Sequence, residues 1–254
     1  MHLIAVWGSS GAGKTALSLA LASAFAEDKK DTLILSSDTR TPALPVLLPM
    51  VKDIHGGNSI GPLLINPDLT DASLKDRMVR HPKSSHIFCM GHASGETATF
   101  SYGLPTRAAA ISLFQVLSQS PFDFVIVDCD SSPAYDQTTL AALEYAHSGL
   151  MVLTPDVKGY EFQKAQLGWL ANSDVFQFDK YIKIAAPVYP FTPLADARAL
   201  FGGFDYELPH AQEVAERMMA GELISKFTLG PGVRYLQQIR MLAQRLEKEA
   251  ADRA

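Results

Sequence analysis

Gly8-Ser9-Ser10-Gly11-Ala12-Gly13-Lys14-Thr15 is the stretch of this chain whose residue types and spacing speak most directly of chemistry. Glycines at positions 8, 11 and 13 let the backbone curl until several N–H groups face one anion, and Lys14 adds a full positive charge beside them. Thr15 brings a hydroxyl of the kind that ligates Mg²⁺ when phosphates are held next to it. The pattern G-x-x-x-x-G-K-T is that of a phosphate-binding loop, so Gly8, Ser9, Ser10, Gly11, Ala12, Gly13, Lys14, Thr15 and Ala16 are the expected nucleotide-binding residues. A second landmark is Asp128, the last residue of the run Phe122-Asp123-Phe124-Val125-Ile126-Val127-Asp128. An acid at the C-terminal end of a buried strand lies where ligands bind in open α/β folds, which suits a carboxylate serving the metal; the plainer alternative is an aspartate that only ends the strand.

These residues need elements to hold them. Leu3 to Trp7 reads as a first strand feeding the loop, and the Ala/Leu-rich segment from Ala16 to Ala26 as the helix that follows. Further strands are expected at Thr32–Ser37, ending at Asp38, and at His86–Met90, Phe122–Asp128, Gly149–Thr154 and Tyr181–Val188. Helices are expected within Asp71–Arg80 and over Thr106–Ser118, Tyr135–Ala146 and Glu161–Ala171. Between Thr41 and Pro67 the prolines and glycines argue for loops and short helical turns. Alternating strands and helices with buried strands predict an α/β fold, a mainly parallel sheet covered by helices on both faces.

Composition narrows the class. A chain of 254 residues that is 47% hydrophobic can bury one large core, so residues 1–254 are expected to form a single domain. No apolar run is long enough to span a bilayer and no signal-peptide pattern precedes the first strand, which points to a cytoplasmic protein. Cys89 and Cys129 lie in apolar strand-like runs and read as core thiols. The seven histidines show no metal-ligand spacing. A net charge of −5 with thinly spread basic residues disfavours nucleic acid as a partner, although Arg77, Arg80 and Lys83 form a small local cluster, as do Arg234, Arg240, Arg245 and Lys248.

Taken in order, the phosphate loop at residue 8, the strand ending in Asp38, the Phe-Asp-Phe-Val-Ile-Val-Asp strand, Leu153-Thr154-Pro155, and Glu207-Leu208-Pro209 with Val214-Ala215 and Gly221 resemble the MinD/ParA family of P-loop ATPases. Within it, the wording of residues 122 to 133 is similar to the TadZ/CpaE-like branch, which positions pilus-assembly machinery at the cell pole. Members of that branch usually carry a receiver-like domain ahead of the ATPase, and here the loop starts at residue 8. The resemblance implies ATP and Mg²⁺ as ligands, with Lys14 and the loop amides on the β- and γ-phosphates and Thr15 on the metal. It implies Asp128 in the metal's shell through water, Asp38 as the acid orienting the attacking water, and Ser131-Ser132-Pro133 as the segment sensing the γ-phosphate. An Asp38 that merely shapes a turn is the alternative.

Two departures qualify the likeness. The family's signature lysine, five residues before the loop lysine, reaches across a dimer interface; here that position is Ser9. Slow hydrolysis, or dimerisation through other contacts, is therefore expected. The family's adenine-reading asparagine after the strand that holds Lys183-Ile184-Ala185-Ala186-Pro187 is also absent, leaving base selectivity to backbone groups around Pro187 to Tyr189 and Pro209-His210.

At 100° per residue Tyr235, Leu236, Ile239, Leu242, Ala243, Leu246 and Ala250 share one face, with Arg234, Arg245 and Lys248 opposite. This amphipathic C-terminal helix either docks on the core or lies on an anionic membrane surface, as the resemblance allows. The aromatics Tyr189-Pro190-Phe191 and Phe201-Gly202-Gly203-Phe204 either pack inward or form a partner surface, and the loop from Gly91 to Gly103 is a lid or a dimer contact. Three functions remain open: a nucleotide switch that closes a homodimer on MgATP and recruits a protein partner, with pilus positioning or plasmid partition as its task; a nucleotide-stabilised scaffold with negligible hydrolysis; and a small-molecule kinase, which lacks a compact arginine cluster for a lid.

Overall fold

The structure, a computed structural model, describes residues 1–51, 56–66, 69–96, 101–171, 181–228 and 230–253. Its elements run β1 (His2–Gly8), α1 (Lys14–Glu27), β2 (Thr32–Ser36), α2 (Leu44–Leu47), a 3-10 turn (Gly56–Asn58), α3 (Gly61–Leu64), α4 (Asp71–Lys75), β3 (Val79–Arg80), β4 (Ile87–Met90) and α5 (Arg107–Ser118). There follow β5 (Phe124–Asp128), α6 (Gln137–Tyr145), β6 (Ser148–Leu153), α7 (Val157–Leu170), β7 (Tyr181–Val188), α8 (Leu194–Phe201), β8 (Tyr206–Pro209), α9 (Gln212–Ala220) and α10 (Gly230–Ala251). The strands form one sheet of order β3-β4-β2-β5-β1-β6-β7-β8. Every pairing is parallel except the two-residue edge strand β3, which runs antiparallel to β4. The expected α/β architecture is the observed one.

The unbroken apolar runs of the strands are explained by burial on both faces of the sheet. Side chains alternate across a strand, so Ile4 and Val6 of β1 join one core with Ile34 and Ile126, while Leu3, Ala5 and Trp7 join the other with Leu33, Leu35, Val125 and Val127. The first core is closed by α1 and α10. Phe25 of α1 stacks on Phe124 of β5 with ring centroids 3.9 Å apart. The second core holds Leu113 and Phe114 of α5, Leu143 of α6 and Leu170 of α7. Each such side chain taken from water contributes roughly 1.5–3 kcal/mol. Cys89 and Cys129 are free, buried thiols, and burial pushes the Cys89 thiol up to about 12.

The structure departs from the sequence reading at several elements. The helix expected within Asp71–Arg80 stops at Lys75, and Val79–Arg80 pairs with β4. Helix α7 starts at Val157 because Asp156 caps it, its carboxylate accepting from the Gly159 N–H at 2.7 Å. Elements α8, β8 and α9 complete the sheet edge in a region that offered only motifs.

Helix α10 docks. Its buried residues are Tyr235, Leu236, Ile239, Leu242, Ala243 and Leu246 together with Gly232, and it packs against α1 and β8. Of the two alternatives the docked helix is the one observed, with the apolar face engaged inside the protein. On the outer side Arg240 lies 3.7 Å from Glu27, and Arg245 lies 3.5 Å from Asp205 and 3.1 Å from Glu249. No helix among the described residues is long and apolar enough to cross a membrane.

Of the two aromatic groups, Phe201 is buried and packs on Phe204 and Tyr160. Phe191 is exposed and heads a stack through Tyr189 to His210. The loop after Gly91 is tied back by Glu96, which accepts from the Ala93 N–H at 2.8 Å and the Ser59 hydroxyl at 2.5 Å. Residues 97–100 of that loop lie outside the described residues.

Candidate functional site

The site gathers at the C-terminal ends of β1, β2 and β5, beside the point where chain connections diverge to the two sides of the sheet. The loop from Gly8 to Gly13 turns from β1 into α1. Gly8, at φ 149°, passes so close to β6 that a Cβ there would lie 1.8 Å from the Val152 carbonyl oxygen. Gly13 is left-handed at φ 85° and starts α1 with no side-chain cap, so the helix's first N–H groups keep their positive end for a ligand.

Lys14 Nζ lies 2.6 Å from the Ser131 hydroxyl and 3.5 Å from the carbonyl oxygens of Gly8 and Ser9. It bridges the loop's mouth to the segment after β5. Thr15 Oγ1 donates to Asp128 Oδ2 at 2.7 Å. The other oxygen, Asp128 Oδ1, is buried with no hydrogen-bond partner. Burial pushes the Asp128 carboxyl up to about 6, against the Thr15 hydrogen bond and the Lys14 charge, which hold it down, while the nearby charge of Asp38 raises it further.

This donor set fits Mg²⁺. The ion keeps several waters and takes one or two protein oxygens plus phosphates, and here a hydroxyl and a carboxylate with an unused buried oxygen stand side by side at the phosphate loop.

Asp38 is near this group without bonding to it. Its Oδ1 accepts from the Arg40 N–H at 2.9 Å and the Thr41 N–H at 2.8 Å, an Asx turn that engages this one oxygen of the carboxylate. Burial raises its pKa, opposed by those two backbone hydrogen bonds.

Ser9 does something other than reach outward. It is 6% exposed, and its hydroxyl accepts from the Thr154 N–H at 3.2 Å while its own N–H donates to Val152 O at 3.1 Å. The loop is thereby stitched to the end of β6.

Arg40 and Asp130 were not singled out by sequence reasoning. The guanidinium pairs with both oxygens of buried Asp130, through Nε at 2.9 Å and through Nη2, and Nη2 also lies 3.2 Å from the Ser132 hydroxyl. Asp130 in turn is anchored through its N–H by the Thr139 hydroxyl at 2.9 Å. Ninety residues separate the pair in sequence, and only the adjacency of β2 and β5 brings them together.

Beside the loop lies an apolar cavity of about 270 Å³. Gly11, Ala12 and Ala16 form its floor, with Pro187, Leu208, Val214 and Tyr235 among its walls and His210 among its few polar members. It occupies the region where the sequence left base recognition to Pro187 and Pro209-His210.

No family model matches the chain. A search of solved structures gives a ParA family ATPase from Chlorobium tepidum with a TM-score of 0.77 at 14% identity, covering 96% of this chain and 98% of that one. The fold is that of the MinD/ParA P-loop ATPases. The septum site-determining protein MinD of Pyrococcus horikoshii, solved with Mg-ADP, superposes with a TM-score of 0.68 at 16% identity over 100% of this chain and 98% of its own. In sequence the chain is similar to MinD of Escherichia coli K12, 21% identical over 170 residues. That match takes in 67% of this chain and 58% of the relative's length. Within the MinD/ParA fold, the phosphate loop, Asp38 and Asp128 lie on three neighbouring strand ends.

Proposed function

We propose that this chain, acting as one unit over residues 1–254, binds MgATP and hydrolyses it slowly as a nucleotide-dependent switch. The observation that carries this reading is Lys14, Thr15 and Asp128 converging at the phosphate loop with Asp128 Oδ1 left unpaired. The MinD structure solved with Mg-ADP supports the choice of nucleotide and metal.

Lys14 and the loop N–H groups would hold the β- and γ-phosphates, and the apolar cavity would take the base. Thr15 and Asp128 would hold Mg²⁺, Asp128 through water. Held there, the ion would supply neutralisation of the charge on the phosphates. The second oxygen of Asp38 would orient a water for attack on the γ-phosphorus. The new bond would form from the water oxygen as the bond to the ADP oxygen breaks, and both of the water's protons would leave on the released phosphate. Positioning and charge neutralisation supply most of such a rate.

MgATP would close two copies face to face through the loop, and the closed pair would recruit a protein partner. The biological task that fits the wording of residues 122 to 133 is positioning of a pilus or secretion assembly, with the cytoplasm as the site of action and the inner membrane face as a place of recruitment. Ser9, buried and bonded to Thr154, favours slow turnover, and at its limit a scaffold that holds nucleotide without useful hydrolysis. Plasmid or chromosome partition is the alternative task.

The test is MgATP turnover per protomer over a wide range of protein concentration, with Lys14→Ala as the blank. Turnover that rises with concentration and vanishes in the variant supports the switch. Turnover absent while ATP still binds supports the scaffold, and failure to bind ATP overturns both.

A further inference from the structure

Arg40 is more than a surface residue paired with an acid. Its guanidinium is 60% exposed in the side chain while its partner Asp130 is 3% exposed, so an arginine open to solvent is parked on a buried carboxylate at the rim of the site. Two contacts fix where it is parked. Arg40 Nη2 lies 3.2 Å from the Ser132 hydroxyl, and the adjacent Ser131 hydroxyl lies 2.6 Å from Lys14 Nζ. The backbone N–H of Arg40 also donates to Asp38. Lys14 and Arg40 are thus the cations bonded to residues 130–132, one from the loop side and one from the β2 side.

We propose that Arg40 contacts the terminal phosphate of the bound nucleotide. The inference rests on the ATP-binding reading above. Two facts argue for it beyond proximity. The position in the loop where the family resemblance places a second cation holds Ser9, whose hydroxyl is used by Thr154, so the loop itself supplies one lysine and no second positive charge. A terminal phosphate is tetrahedral where the Asp130 carboxylate is planar, but two of its oxygens offer the guanidinium fork the same kind of bidentate, anionic acceptor pair. Asp130 then has a defined second role: it holds Arg40 in place until the phosphate arrives, and the Ser132 N–H, which donates to its Oδ1 at 2.6 Å, still partners the carboxylate as the guanidinium leaves. Because Arg40 follows Asp38 by two residues, drawing it toward phosphate carries the Asp38 turn with it, which couples the identity of the nucleotide to the acid that faces water.

The experiment compares equilibrium binding of a non-hydrolysable ATP analogue and of ADP, both with Mg²⁺, to the unmodified chain, Arg40→Ala and Arg40→Lys. Arg40→Ala is expected to weaken the ATP analogue about tenfold or more while ADP affinity stays within about twofold, with Arg40→Lys between. Where turnover is measurable, Arg40→Ala lowers it about a hundredfold. Unchanged ADP binding doubles as the check that the fold is intact. Equal weakening of both nucleotides, or of neither, overturns the inference and leaves the ATP-binding reading standing. Binding of neither nucleotide by the unmodified chain overturns that reading and this inference together.

Discussion

Thr15 Oγ1 donates a 2.7 Å hydrogen bond to one oxygen of Asp128, and the other oxygen of that carboxylate is buried without a partner. A half-satisfied buried acid destabilises the ligand-free fold, and it is the state from which metal binding gains most.

Replacing Asp128 with Asn tests this directly. The folded Asp128 carboxyl lies at about 6 against an ordinary 3.8, so the folded state binds the proton more tightly than the unfolded one, and stability from this group is lost as pH rises through 6. At pH 7 Asp128→Asn should therefore stabilise the ligand-free protein, by up to about 3 kcal/mol, read as a higher Tm. The same variant should lose Mg²⁺-dependent nucleotide binding. A lower Tm would mean that the charged carboxylate is satisfied in the fold.

Restoring a lysine at position 9 should not restore a fast enzyme. Ser9→Lys removes the acceptor of the Thr154 N–H and forces a long chain out of a buried position. A loss of about 1–3 kcal/mol in unfolding free energy is expected from the abandoned N–H alone. Chemical denaturation measures it; a variant as stable as the parent and faster in turnover would refute the account of Ser9.

The cavity beside the loop predicts a separable defect. Ala215 lines it from α9 and is otherwise exposed, so Ala215→Trp can fill the space without disturbing a core. Calorimetry should show ATP affinity falling at least tenfold while inorganic tripolyphosphate binds as before. Equal effects on both ligands would place the base elsewhere.

Acid stability turns on buried histidines, with His2 at the end of the sheet opposite the phosphate loop. Burial lowers the His2 pKa to about 4, with the neighbouring His147 lowering it further, and His81 and His92 are lowered mainly by burial. A histidine held below its unfolded value of 6.5 contributes stability above that pH and loses it as pH falls toward 4. His2→Gln should flatten the fall in unfolding free energy between pH 6.5 and 4 by about 1–3 kcal/mol, in the sense opposite to Asp128. An unchanged pH profile would show that His2 is not protonated on unfolding.

The strands and the phosphate loop were legible because their signals are local. Leu3–Trp7 and Phe124–Val127 are continuous apolar runs, and the glycine spacing ahead of Lys14 is complete within eight residues. What escaped reading was short or non-local. Val79 and Arg80 belong to a two-residue strand whose spacing suits a helix equally well, and Tyr206–Pro209 is four residues ending in proline. Arg40 and Asp130 are each unremarkable in sequence, and their pairing needs β2 beside β5. The C-terminal helix was readable as amphipathic, but amphipathicity alone does not say whether protein or lipid covers the apolar side.

Helix α1 begins at Lys14 and has α10 lying along its back. Of its residues Leu17 to Ala22 none reaches solvent, so α1 cannot tilt or slide into free space. Any shift of the phosphate loop that moves its helix must displace α10 as well. The charged outer flank of α10 is thus a keel joined rigidly to the nucleotide's seat, and a protein gripping that flank would feel the seat fill or empty without touching it.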